Sequence, residues 1–406
     1  MDSASLAPIG ILLLVACLIA MLTRRLGFPY IVGLVVAGFL VAFLPSSSNF
    51  LLSHDLIFNV LLPPLVFEAA LQLNWRRFRA ELPLTLTLAF LGVGIAAAIV
   101  AIGMHLIIGW SWLGAAMFGV LIAATDPVSV IAALREMKCE PRAAMVVEAE
   151  SLLNDGVAAV GFAILSAIAA GASLNVGNVI SGFAWTLGGG ILIGVALSAA
   201  ILLVVGRTSD PLVEITLTTI AAYGSFLFAE HVHASGIISA LCSGLIIGGV
   251  GWTGPLSEQG RDRLRWTWEY FAFLANSFVF ILIGVSIASQ PLQRLEASSA
   301  SIAILTVLTG RALTIYPLSA LFAGSRWKLD PALQHLLFWG GLRGALALAL
   351  ALAVPATVLE RDAIILLAFV VVAFSILVQG LTMPVVIRGL KLDRGESETA
   401  VAAPEG

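Results

Sequence analysis

The stretch Glu150-Ser151-Leu152-Leu153-Asn154-Asp155 lies inside an apolar run near residues 142–170. A run of roughly 20 apolar residues suffices to cross a bilayer. Ionisable side chains at that depth are costly and by default mark an ion or proton path. With a rise of about 1.5 Å per residue, Asp155 stands ~20 Å along this helix from its basic end at Arg142, near the bilayer middle. Ser151 and Asp155 are four residues apart and share a face; Glu150 and Asn154 share the adjacent one. Asp155 with Ser151 offers hard oxygens to a small cation, while Glu150 is placed to meet a buried positive charge from another helix. Asn154 does not ionise and is placed to hold geometry through hydrogen bonds. Glu148, nearer the basic end, reads either as a vestibule lining or as a further carboxylate of the path.

Composition agrees with a membrane class. Of 406 residues, 60% are hydrophobic and 11% charged, and the mean hydropathy is +1.05. The net charge of -3 is spread over short loops with no basic tract suited to nucleic acid. Cys17, Cys139 and Cys242 form neither a metal cluster nor a paired framework, so no disulfide, zinc site or cofactor is expected. The first run, Leu6 to Leu22, has no basic stretch before it and no small-residue cleavage site after it, which predicts a retained helix. Hydrophobic runs broken by Gly, Pro and charge predict thirteen spans near 6–23, 30–44, 55–73, 82–107, 112–134, 142–170, 177–206, 211–230, 233–250, 266–289, 298–323, 332–354 and 363–388. Every other loop carries the basic residues, seventeen of the 21 Lys and Arg, while the intervening loops hold only Arg294 and Arg361. This alternation predicts an odd number of crossings in the cell (inner) membrane, with the N-terminus outside and a short cytoplasmic C-terminal tail.

An internal repeat underlies this order. Span two reads IVGLVVAGFLV from Ile31 and span nine reads IISALCSGLII from Ile237, which aligns Gly38 with Gly244. Seven spans separate the copies, so they run in opposite directions, the inverted arrangement of many secondary transporters. Such folds place their sites where interrupted helices meet near the midplane. Span five carries Ala124-Thr125-Asp126-Pro127, whose proline removes an amide donor and leaves carbonyls that a cation could use. Span twelve, seven later, carries Gly340-Gly341-Leu342-Arg343-Gly344, where glycines weaken the helix and a buried arginine can face carbonyl ends. Either break alone reads as a packing kink; the two together, both charged, point to function.

The spans contain the acids Glu68, Asp126, Glu150 and Asp155 against Arg311 and Arg343. If each arginine neutralises one acid, with Arg343 placed near Asp126, two acids remain. Those two must be protonated, bind a cation or border water. A site that trades a proton for a cation meets that demand. His54, His105, His231, His233 and His335 fall in loops or at span ends and are not expected to carry the proton. A channel would use the same acids but is disfavoured by the repeat and broken helices. No nucleophile–base pair suggests an enzyme. Sodium, lithium and potassium are not separated by these ligands.

Five motifs in order resemble those of sodium/proton antiporters of the monovalent cation/proton antiporter-1 family, the prokaryotic relatives of animal sodium/proton exchangers. They are LPPLVFEAA at residues 62–70, ATDPV at 124–128, ESLLND at 150–155, Gly310-Arg311-Ala312 and GGLRG at 340–344. The resemblance implies an all-α polytopic fold of inverted-topology repeats with two interrupted crossing helices, and a homodimer in membrane lipid whose core domain moves as an elevator. The chain then divides into residues 1–110 (spans one to four, dimer and early core helices), 111–170 (core spans five and six with the ion site), 171–210 (linker span seven), 211–297 (spans eight to ten), 298–390 (core spans eleven to thirteen) and a tail, 391–406. It implies Asp155 as the shared sodium and proton site, helped by Ser151, Glu68 and the Thr125 backbone, with Asp126 nearby and Glu150 paired with Arg311. Gly156 stands where relatives often have another small residue, and the long regulatory tail of animal exchangers is missing. Because Asn154 occupies a position where electrogenic antiporters of the wider superfamily look to carry a second aspartate, one-for-one exchange is expected.

Overall fold

The computed structural model describes residues 3–26, 29–43, 54–171, 176–208, 210–251, 254, 256, 258–290 and 296–392. Arg294, and the tail from residue 393 with Arg394, lie outside these. The described residues are helical throughout, with short connections. The first helices are α1 (Ser3–Leu26), α2 (Tyr30–Val41), α3 (Leu56–Gln72) and α4 (Trp75–Ile108). Next come α5a (Trp112–Ala123) and α5b (Val128–Glu136), α6 (Pro141–Ala169), α7 (Val176–Val205) and α8 (Pro211–His231). The last are α9 (Gly236–Gly249), α10 (Glu258–Ser289), α11 (Ala297–Ala320), α12a (Pro331–Trp339), α12b (Ala345–Leu352) and α13 (Arg361–Gly389). Among the described residues, eight stretches are long and apolar enough to cross a membrane, including α4, α6, α7, α10 and α13. Helices α2, α3 and α9 are apolar but shorter.

Two helix boundaries differ from the expected spans in the same way. Helix α4 starts at Trp75 rather than near residue 82, and α10 at Glu258 rather than near 266. Hydropathy detects hydrocarbon, whereas the helix continues into water through Arg76, Arg77 and Arg79, and through Arg261, Arg263 and Arg265. The α4 start is fixed by Asn74, whose side chain accepts from the Arg77 amide at 3.1 Å and supplies one of the bonds a first helical turn lacks.

Packing obeys the repeat. Helix α2 lies against α10, and α9 lies against α3. A shift of seven helices converts one pair into the other. A Cβ on Gly38 would run into the Ile281 carbonyl of α10, and one on Gly244 would stand 2.6 Å from the Phe67 carbonyl of α3. The two aligned glycines thus make equivalent backbone contacts, the packing that small residues allow between membrane helices. Helix α4 packs on α5a, α6 and α11, and α12b packs on α13 and α5a. A cavity separates the first group, α2, α3 and α10, from the α5 break, α6 and α12b.

Candidate ion site

Both expected breaks are present, and they touch. Residues 124–127 and 341–344 leave the helical path, and the Asp126 amide donates to the Leu342 carbonyl across the crossing at 2.7 Å. Gly344 is required here, because a Cβ would collide with the Asp126 carboxylate; one on Gly341 would stand 2.6 Å from Nε of Arg311. The GGLRG run thus combines a loosened helix with room for two charged side chains.

A broken helix exposes a partial negative charge at each carbonyl end and a partial positive charge at each amide end. Arg343, 2% exposed, donates from Nη1 to the carbonyls of Ala123 and Ala124 at 3.1 and 3.3 Å, covering the end of α5a. Arg311 donates through Nε and Nη2 to the Leu337 carbonyl at 3.1 and 2.9 Å, covering the end of α12a. Asp126 accepts from the Val128 amide at 3.0 Å and caps the start of α5b. Gln379, in a widened π-helical turn of α13, donates to the Trp339 carbonyl at 3.1 Å and accepts from the Ser375 hydroxyl at 2.9 Å.

The expected pairing of Asp126 with Arg343 is therefore corrected. No ion pair joins them among the described residues; Arg343 turns to helix-end carbonyls and the Asp126 carboxylate to the Val128 amide. The carbonyls proposed as cation ligands at the α5 break are also engaged, those of Ala123 and Ala124 by Arg343 and that of Thr125 by the Ser151 hydroxyl.

Glu150 and Arg311 do meet. The bond is bidentate, Nη1 to Oε1 at 2.6 Å and Nη2 to Oε2 at 3.1 Å, with both groups buried. A fork of this kind suits a pair held out of water. Asn154 donates to the same Glu150 oxygen at 2.5 Å and lies 3.4 Å from the Thr125 hydroxyl, which donates to Ser151 at 3.1 Å. A continuous polar chain thus runs from Arg311 through Glu150 and Asn154 to the α5 break. Ser151 is spent on Thr125, a departure from its expected role as a free ligand.

Asp155 differs from the other acids of the site. The Thr125 amide in the break faces its carboxylate, and its Oδ1 is buried without a hydrogen-bond partner. Asp155, Asp126 and Thr125 line the inner end of a cavity of about 460 Å³, and Glu68, Glu148 and Glu269 line its mouth side. Glu68 accepts from Gln72, which also reaches Glu269 at 3.4 Å and receives Arg135 at 3.5 Å. Arg135 approaches Glu148 at 4.0 Å. Glu68 is thus in the same cavity as Asp155 but nearer its mouth. Glu269, Gln72 and Arg135 were missed by sequence reasoning; Glu269 sits one turn inside the expected start of span ten and Gln72 one residue inside the expected end of span three, where polar residues read as interfacial. His54, His105 and His335 bond to the Ala349 carbonyl, the Trp110 carbonyl and the Tyr316 hydroxyl and do not line the cavity.

Comparison with known proteins places this geometry in a family. Residues 11–389 match the transmembrane sodium/hydrogen exchanger pattern. The chain is 38% identical over 376 residues to the Na(+)/H(+) antiporter ApNhaP of Aphanothece halophytica, covering 91% of this chain and 72% of that protein. It is 36% identical over 384 residues to the Na(+)/H(+) antiporter NhaS2 of a Synechocystis species, covering 95% and 70%. The solved sodium proton antiporter MjNhaP1 of Methanocaldococcus jannaschii, at pH 8, superposes with a TM-score of 0.74 over 95% of this chain and 96% of that one, at 17% identity, a likeness of fold. With two touching helix breaks and a match along nearly its whole length, the chain belongs to the transmembrane sodium/hydrogen exchanger family.

Proposed function

We propose that the protein exchanges sodium or lithium for protons across the cell membrane, one for one, with Asp155 as the shared carboxylate. The observation that carries this reading is the buried, unpartnered Oδ1 of Asp155 at the inner end of a cavity. A carboxylate left bare there is costly. A proton covers it, or a cation does, and the two compete. Glu68 assists the cation along the path; the Thr125 amide orients the Asp155 carboxylate, and Asp126 holds the breaks together beside it. Glu150, Asn154 and Arg311 support the site, and Arg343 neutralises the end of α5a.

Coupling follows without a separate gate. The helices bearing the breaks cross only when the Asp155 charge is covered, moving as an elevator against α2, α3 and α10; glycine contacts lock α2 to α10 and α9 to α3. We assign the moving core to spans four to six and eleven to thirteen and the homodimer contact to the remaining helices. The face with the basic loops is assigned to the cytoplasm, which makes this an inward-facing cavity.

Reconstituted vesicles test the reading. With a pH gradient imposed, added sodium or lithium dissipates it; dissipation by potassium alone supports potassium/proton exchange instead. At equal pH on both sides, with voltage clamped by potassium and valinomycin, the equilibrium sodium distribution does not shift, although about 2.3 kcal/mol per 100 mV is available to each net charge moved. A voltage-dependent distribution means that Glu68 or Glu148 carries a second proton.

A further inference from the structure

Beside the mouth of the ion route lies a second cavity of about 330 Å³, on the face that carries the basic loops. Arg77, Arg135 and Lys138 line it, with Glu148 as its one acidic residue. Glu136 and Glu140 stand on the same connection but do not line it. Arg142, by contrast, is committed to Glu81 at 2.8 Å. Among the described residues neither Arg77 nor Lys138 has a carboxylate partner, and Arg135 has only the 4.0 Å approach to Glu148. Helices α4 and α6 both begin here, next to Asn74 and at Pro141, so the positive ends of two helix dipoles add to the three side chains. Concentrated positive charge at the entrance of a cation path opposes cation entry unless an anion offsets it.

The two cavities share Gln72, Arg135 and Glu148. Arg135 therefore faces either the acids of the ion route or the second cavity, and it is 57% exposed, free to turn. We propose that the second cavity binds a phosphate-class anion through Arg77, Arg135 and Lys138, and that this occupancy draws Arg135 away from Glu148 and strengthens cation entry. The anion is either a lipid headgroup at the membrane surface or a free phosphate. Arginine forks and a lysine point charge suit either source.

This regulation rests on the exchange reading above, so one readout is independent of transport. Cys139 lines the second cavity. The protein is placed in phosphatidylcholine vesicles, in vesicles containing phosphatidylglycerol, and in phosphatidylcholine with inorganic phosphate at constant ionic strength. Maleimide labelling of Cys139 is followed by peptide mass spectrometry, and the apparent KM for sodium is measured alongside. The anion slows Cys139 labelling and lowers KM about two- to five-fold, the range of one partly exposed charge contact. The Arg77→Gln/Lys138→Gln double variant loses both responses while exchanging normally in neutral lipid without phosphate. A response confined to phosphatidylglycerol identifies a lipid headgroup, and one to inorganic phosphate a free anion. Surface potential also concentrates sodium at anionic vesicles, but it acts equally on the double variant. Unchanged labelling in every arm, or responses that persist in the double variant, overturn the proposal; failed exchange with retained protection of Cys139 indicts only the exchange reading.

Discussion

Asp155→Asn abolishes sodium-dependent dissipation of a pH gradient and leaves the melting temperature in detergent unchanged or raised. The substitution preserves shape but removes the group whose charge alternates. Asp155 has no ion pair among the described residues, and one of its oxygens is buried without a partner. Burying a carboxylate in this way costs stability that a neutral amide does not, so function and stability separate, as they commonly do at strained sites. Exchange rates and melting curves on the same preparation check this. A variant that exchanges at the parental rate removes Asp155 from the centre; one that melts far below the parent makes Asp155 a structural residue.

Glu150→Gln gives the opposite pattern. It leaves the buried Arg311 charge without a carboxylate, with the Leu337 carbonyl and one neutral amide oxygen as acceptors, and breaking a buried pair by removing one member costs about 3–5 kcal/mol. The retained carbonyl bonds favour the lower end. Arg311→Leu has a similar cost, and the double variant costs less than the sum of the single changes, because each single change already breaks the same contact. Melting temperature falls in both single variants, whereas sodium affinity in the surviving folded fraction changes little. Normal melting with lost sodium binding places Glu150 among the cation ligands instead. Arg311→Lys does not restore the parent, since an ammonium lacks the fork that spans both Glu150 oxygens and the Leu337 carbonyl.

These contrasts mark where the sequence was informative. Proline at 127 and the glycines at 340, 341 and 344 announce breaks through backbone rules that hold locally, and both breaks occur where they were expected. The alignment of Gly38 with Gly244 was also legible, because a close helix contact demands a small residue whichever helix stands opposite. Which helix that is was not legible. Spacing along α6 placed Glu150 on a face but carried no record of Leu337, whose carbonyl shares Arg311. The pairing of Arg343 with Asp126 failed for a related reason: charge counting weighs side chains only, while the strongest attraction for Arg343 is a helix end built from the carbonyls of Ala123 and Ala124. Glu269 and Gln72 meet across 197 positions of chain, a juxtaposition that periodicity within one helix does not encode.

The shared carboxylate is tested most directly by sodium binding to purified protein across pH, followed by calorimetry in weak buffer. If one proton and one sodium ion compete for Asp155, apparent affinity on the acid side weakens about tenfold per pH unit, and each sodium bound there releases close to one proton, as reciprocal linkage requires. Asp155→Asn abolishes both effects. A sodium affinity independent of pH, or proton release that persists in Asp155→Asn, contradicts the account.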